Sequence, residues 1–168
     1  MRNYTLGLYE KSMPNILSFS EKLLCTKECG FDYLEISIDE TEEKLARLDM
    51  TKEERKYLLD VMAVCGVPIR TMCLSGHRKY PLGSLDESVR ARGMEIMKKA
   101  IDLADDLGIR VIQIAGYDVY YEEGNEKTKK YFEDNLRKSV EYASEKGVIL
   151  AFETMETEFM NTVEKAME

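Results

Sequence analysis

Four places in the sequence carry side chains whose types and spacing suit chemistry on a small polar substrate. The first is Glu153. Five apolar residues, Val148 to Phe152, run on from Gly147 without a polar break and stop at this carboxylate. Such a run reads as a strand buried on both faces of a parallel sheet, where a charge is tolerated only as the strand emerges. A carboxylate at that end can bind a divalent cation, or move a proton at a carbon beside a carbonyl. The plain alternative is that Glu153 ends a strand and faces water.

The second place is the loop from Ser75 to Ser84, which holds His77, the single histidine of the chain, next to Arg78 and Lys79. Histidine titrates near neutrality and exchanges hydrogen bonds with sugar hydroxyls. Arg78, Lys79 and Ser84 suit a phosphate, arginine by two parallel donors and lysine as a point charge. A solvated loop is the competing reading. The third place is Tyr117, Tyr120 and Tyr121, whose flat faces and polar tips suit the lining of a sugar pocket or, equally, the packing of a barrel rim. The fourth is Glu35, a carboxylate among apolar neighbours, expected in a structural ion pair with Arg70. Glu156 and Glu158 read as surface charges at the start of a last helix.

These side chains need a frame, and a repeat supplies one. Gly30, Gly66, Gly108 and Gly147 each close a helical pattern, and each is followed at once by a short apolar strand. Those strands begin at Tyr33, Ile69, Val111 and Ile149, and an earlier one, Tyr4 to Tyr9, opens the series. The helices between them are expected over Ile16–Cys29, from Thr51 to Cys65 with Thr51 and Glu54 as a capping box, over Asp86–Leu107 with an apolar stripe, and over Glu126–Lys146. Strict alternation implies a parallel sheet. Strand one runs into Glu10-Lys11-Ser12-Met13-Pro14 and not into GxGxxG, which disfavours a dinucleotide-binding sheet. The fold class is therefore α/β of the parallel TIM-barrel type, incomplete, with about five strands where a closed barrel has eight. Residues 1–168 form a single domain, the N-terminal portion of such a barrel. Its two unpaired sheet edges predict self-association into a homo-oligomer, or a need for the missing half.

Composition narrows the partners. Lysine and arginine number 24 against 32 aspartates and glutamates, a net charge of −8, so nucleic acid is not expected as a partner. No apolar run approaches the roughly 20 residues of a membrane span, and no signal-type apolar core opens the chain. Cys25, Cys29, Cys65 and Cys73 contain no CxxC pair and read as reduced, structural thiols of a cytoplasmic protein.

Leu6-Gly-Leu-Tyr-Glu-Lys11, Cys73-Leu-Ser-Gly-His-Arg78, Ala115-Gly-Tyr-Asp-Val-Tyr-Tyr121, and Phe152-Glu-Thr-Met-Glu-Thr157 with Phe159-Met-Asn161 follow one another in order. In these motifs the chain resembles the L-ribulose-5-phosphate (L-xylulose-5-phosphate) 3-epimerases, a family also known as hexulose-6-phosphate isomerases. The resemblance spans the chain. It implies a xylose-isomerase-like TIM barrel and epimerisation of a ketopentose 5-phosphate at carbon 3 through an enediolate. It also implies a divalent cation (Mn, Mg, Zn or Co) held by two glutamates, an aspartate and a histidine, with the glutamates as opposed bases. Glu153 matches the first glutamate, as base and as metal ligand. The other ligands fall in the family's carboxy-terminal half, so this chain is expected to be inactive or impaired alone. His77, Arg78 and Tyr117 are the expected substrate contacts. Other expectations are an inert half-barrel that self-associates, another sugar isomerase of the group, or, against the acidic balance, an abasic-site endonuclease.

Overall fold

The computed structural model describes residues 3–167. Five strands, β1 (Gly7–Tyr9), β2 (Tyr33–Ile38), β3 (Ile69–Leu74), β4 (Val111–Ala115) and β5 (Ile149–Glu153), stand side by side in sequence order. Every neighbouring pair is parallel. The helices are α1 (Phe19–Glu28), α2 (Glu42–Leu45), α3 (Lys52–Cys65), α4 (Glu87–Leu107), α5 (Glu126–Glu145) and α6 (Val163–Met167). The expected α/β alternation is present, and the sheet is open: β1 and β5 each have one strand neighbour among the described residues.

Local chemistry explains the boundaries. Ser18 with Glu21, and Thr51 with Glu54, form reciprocal capping boxes at the starts of α1 and α3. The Asp86 carboxylate caps α4 by accepting the Ser88 and Val89 N–H groups. All four repeat glycines take φ between 65° and 77°, the left-handed bend that closes a helix and redirects the chain into a strand. Two expected starts move inward. The Ser18 cap sets the start of α1 at Phe19 and leaves Ile16 exposed. β1 begins at Gly7 and not Tyr4, because the Leu6 N–H donates to the Asp32 carboxylate (2.7 Å) instead of to a ladder carbonyl. The short α2 and the 3-10 turn Ala46–Asp49 were not visible as periodic patterns, and the last helix begins at Val163, not near Glu158.

Strand parity sorts the side chains into two faces. Leu34, Ile36, Ile38, Met72, Leu74, Ile112 and Ile114 are buried, and with Leu23, Leu58, Met62, Ile96, Met97, Ile101 and Ala104 of the helices they form the core. The other face carries Tyr9, Glu35, Ser37, Thr71, Cys73, Gln113 and Glu153. Two expectations are corrected here. β5 is not buried on both faces: Ile149 is 60% exposed and Phe152 36%, since an edge strand has one lateral neighbour and its inner face meets polar side chains. Glu35 does not pair with Arg70. Its carboxylate accepts the Thr71 hydroxyl (2.6 Å), and Arg70, one residue earlier on β3, is exposed on the opposite side.

Candidate active site

The polar face opens at the carboxyl ends of the strands into a cavity of about 410 Å³. Tyr9 and Lys11 from β1 and its following turn, Glu35 from β2, Cys73 from β3, Arg78 from the loop beyond it, Gln113 from β4 and Glu153 from β5 all line it. Five successive strands thus deliver side chains to one hollow. A larger hollow of about 990 Å³ lies between α5 and residues 157–166. Phe132, Leu136, Phe152 and Phe159 line that one together with charged side chains such as Lys129, Glu133 and Arg137, and it shares no lining residue with the strand-end cavity.

Glu153 sits where the sequence placed it, at the last residue of β5. The Gln113 side-chain amide donates to its Oε2 at 2.5 Å and fixes the carboxylate from the neighbouring strand. Arg78 belongs to the one-turn helix Gly76–Arg78 and reaches the same cavity. Its guanidinium lies 5.0 Å from the centre of the Tyr120 ring, and its Nε has no hydrogen-bond partner among the described residues. Tyr117 is buried beside it. The Tyr117 hydroxyl also lacks a partner, lying near Arg78 without hydrogen-bond geometry. Burial pushes the Tyr117 phenol above its ordinary range, and the neighbouring guanidinium opposes that. Tyr120 and Tyr121 hold this loop from two sides, Tyr120 donating to Glu156 (3.1 Å) and Tyr121 to Glu40 (3.0 Å).

The structure does not bring His77 to the cavity. The ring is buried, with Nε2 3.1 Å from the Gly93 carbonyl of α4. Burial pushes its pKa down to about 4, against the pull of that carbonyl, so the ring is neutral at pH 7. Nor do Lys79 and Ser84 converge with Arg78 on an anion. Lys79 lies 3.6 Å from Glu42 at the rim, and buried Ser84 accepts the Asp86 N–H. Glu156 is exposed and serves as acceptor for Tyr120, and exposed Glu158 gives its carbonyl to Lys165.

The residues that the sequence did not single out are Gln113, Lys11 and Glu10. Gln113 interrupts an otherwise apolar strand at the same parity as Glu153, and that was its signal. Lys11 is paired with Asp39 at 2.8 Å. Glu10, between the two cavity residues Tyr9 and Lys11, is fully buried. It accepts from Lys22 (2.6 Å), Lys44 (2.7 Å), both Arg47 terminal nitrogens and the Ser37 N–H. Burial pushes its pKa up, but Arg47, Lys22 and Lys44 outweigh burial and hold it far below the usual carboxylate range. This knot ties the loop after β1 to α1, β2, α2 and the turn after it, and so fixes one wall of the cavity.

A divalent cation finds an incomplete donor set here. Glu153 and Glu35 face the cavity, yet no group of three His, Cys, Asp or Glu side chains able to hold a metal exists among the described residues. No helix among them is long and apolar enough to cross a membrane.

The family described as xylose isomerase-like TIM barrel matches residues 25–168. L-ribulose-5-phosphate 3-epimerase UlaE of Shigella boydii is 51% identical over 162 residues, covering 96% of this chain and 57% of the relative. The chain thus spans little more than half the length of the curated relatives it matches. Among solved structures, D-psicose 3-epimerase of Clostridium cellulolyticum in complex with D-tagatose superimposes with a TM-score of 0.79 at 16% identity, over 96% of this chain and 57% of that one. A xylose isomerase-like TIM barrel protein of Mycobacterium smegmatis in complex with magnesium gives 0.74 at 13% identity, over 98% and 60%. At those identities the two structures speak for the fold alone.

Proposed function

The chain belongs to the xylose isomerase-like TIM barrel family, and on that premise we propose that it carries one half of the active site of a ketopentose 5-phosphate 3-epimerase. The substrates are L-ribulose 5-phosphate and L-xylulose 5-phosphate, by likeness to the relative named above. The observation that carries this reading is the convergence of Glu153, Gln113 and Arg78 on one polar cavity at the carboxyl ends of parallel strands.

In this reading Glu153 is the base that takes the proton from carbon 3. Gln113 orients it by holding Oε2, which leaves Oε1 outside that bond. Loss of the proton leaves an enediolate, and return of a proton to the opposite face inverts the centre. That return needs a second base, which the family resemblance places on later strands. Arg78 and Tyr117 are the substrate contacts: an uncommitted guanidinium N–H and a buried hydroxyl await acceptor oxygens of a sugar phosphate. His77 acts one step back, pinning the turn that presents Arg78 to α4. A divalent cation would polarise the ketone, with Glu153 as one of its ligands; the described residues do not complete such a site, so the steps assigned here are those of the side chains. On this reading the protein works in the cytoplasm, where its four free thiols stay reduced.

Incubation of the chain with L-ribulose 5-phosphate and Mn²⁺ in deuterated water tests the half-site directly. Deuterium at carbon 3, absent with Glu153→Gln, is the expected result once strands able to supply the second base are added in trans. Turnover retained by Glu153→Gln in that assembly would reject the assignment.

A second reading rests on a separate observation, the edges of β1 and β5 that have no strand partner among the described residues. Open strand edges recruit further strands, and a homo-oligomer that covers them is the expected state in solution. Sedimentation showing a stable, folded monomer would exclude it.

A further inference from the structure

Cys25 and Cys29 stand one helical turn apart where α1 ends, just before the chain turns into β2. That is the amino end of the sheet, opposite the cavity. Cys29 is exposed and Cys25 half-buried, so this pair is not buried as two structural thiols would be, while Cys65 is buried and Cys73 lines the cavity. All four are free. The neighbouring Cys29 thiol, with burial and Glu28 adding to it, pushes the Cys25 thiol up from its usual range.

Two products can link such a pair, and helix geometry separates them. Residues four apart in a helix have Cβ atoms about 5–6 Å apart, whereas a disulfide needs about 3.5–4.5 Å. The Cys29 N–H also bonds the Cys25 carbonyl at 2.9 Å, so closing an S–S bond would deform the last turn of α1. An ion bridged by two sulfurs, with metal–sulfur bonds near 2.3 Å, spans the gap with side-chain rotation alone.

The number of ligands selects the ion. No group of three His, Cys, Asp or Glu side chains able to hold a metal occurs among the described residues, so the pair offers two sulfurs and no third protein ligand. Structural zinc asks for four protein ligands. Soft thiolates select Cu(I), a cation content with two of them. We propose that Cys25 and Cys29 form a surface site that takes one soft monovalent cation of the Cu(I) type. Binding is redox-neutral: two S–H bonds give up their protons, two metal–sulfur bonds form, and one Cu⁺ becomes a bis-thiolate of charge −1 with release of two H⁺. The site is independent of the sugar-phosphate reading, since it shares no residue with the cavity.

The test is an anaerobic titration of the reduced chain with Cu(I) against bathocuproine disulfonate, with copper retention and proton release as readouts. One retained equivalent and two released protons are expected. Cys29→Ser, which alters an exposed side chain, and Cys25→Ser should each lose that equivalent, with at least a tenfold fall in affinity. Cys73→Ser should keep it. Absence of binding in the unaltered chain, retention in Cys29→Ser, or loss in Cys73→Ser would each overturn the proposal. So would Zn(II) retained through gel filtration as tightly as Cu(I), because that requires ligands beyond the two sulfurs.

Discussion

Glu10 and Glu153 are carboxylates at the strand ends of opposite edges of one sheet, and they have opposite fates. Glu10 is surrounded by three cations and a backbone N–H, is fully buried, and has no lone pair left to offer. Glu153, exposed on the edge strand, has one donor among the described residues, Gln113. The lesson is that the donors around a carboxylate, not its place at a strand end, decide whether it can do chemistry. A saturated carboxylate holds walls in place. One with a free oxygen can take a proton.

This contrast is broken or sharpened by substitution at either edge. Glu10→Ala strands Lys22, Lys44 and Arg47 in the interior with no counter-charge, and a loss of about 3–5 kcal/mol is expected. Urea denaturation measures it, and a loss under about 1 kcal/mol would mean that the knot is not structural. The charge state of Glu10 should matter in the same direction. Its folded pKa is depressed, so its contribution is present above the ordinary carboxylate range and is lost as pH falls below it.

His77 supplies the next effect, in a separate pH window. Its folded pKa of about 4 lies below the ordinary 6.5, so between those values the unfolded chain binds the extra proton. Stability should therefore fall as pH drops from about 6.5 to about 4, by up to roughly 3 kcal/mol. Unfolding midpoints measured from pH 7 to pH 5 should show this slope, and His77→Gln should flatten it. An equal slope in both chains would remove histidine from the account.

The smallest effects belong to Glu153. Glu153→Gln and Gln113→Leu should each shift stability by no more than about 0.5 kcal/mol, since neither side chain is packed in the core. A destabilisation by Glu153→Gln as large as that of Glu10→Ala would erase the distinction between the two carboxylates. A small effect on folding together with lost deuterium exchange would sharpen it.

The frame was legible because its signals are local. A glycine that ends a helix and an apolar run that follows it need no tertiary information, and four repeats of that pair marked the strands from Tyr33 onward and implied that they run parallel. Thr51 with Glu54 announced α3 in the same way. Less was legible at the site. Glu153 stood out because it breaks an apolar run, and Arg78 because it follows one. The burial of His77 was not legible, since a lone histidine in a polar loop looks exposed until α4 lies over it and Gly93 claims its ring.

The sequence by itself determined the alternation of elements, the parallel sheet, the capped helix starts and the end of β5 at a carboxylate. These depend on neighbours a few residues apart, where backbone sterics and side-chain caps act. Only the tertiary structure decided which charges are spent. Lys22, Lys44 and Arg47 lie 12, 34 and 37 residues from Glu10, and Gln113 lies 40 from Glu153. Pairings over such separations follow from sheet register and helix packing, because a charge leaves water only where the fold brings it a partner.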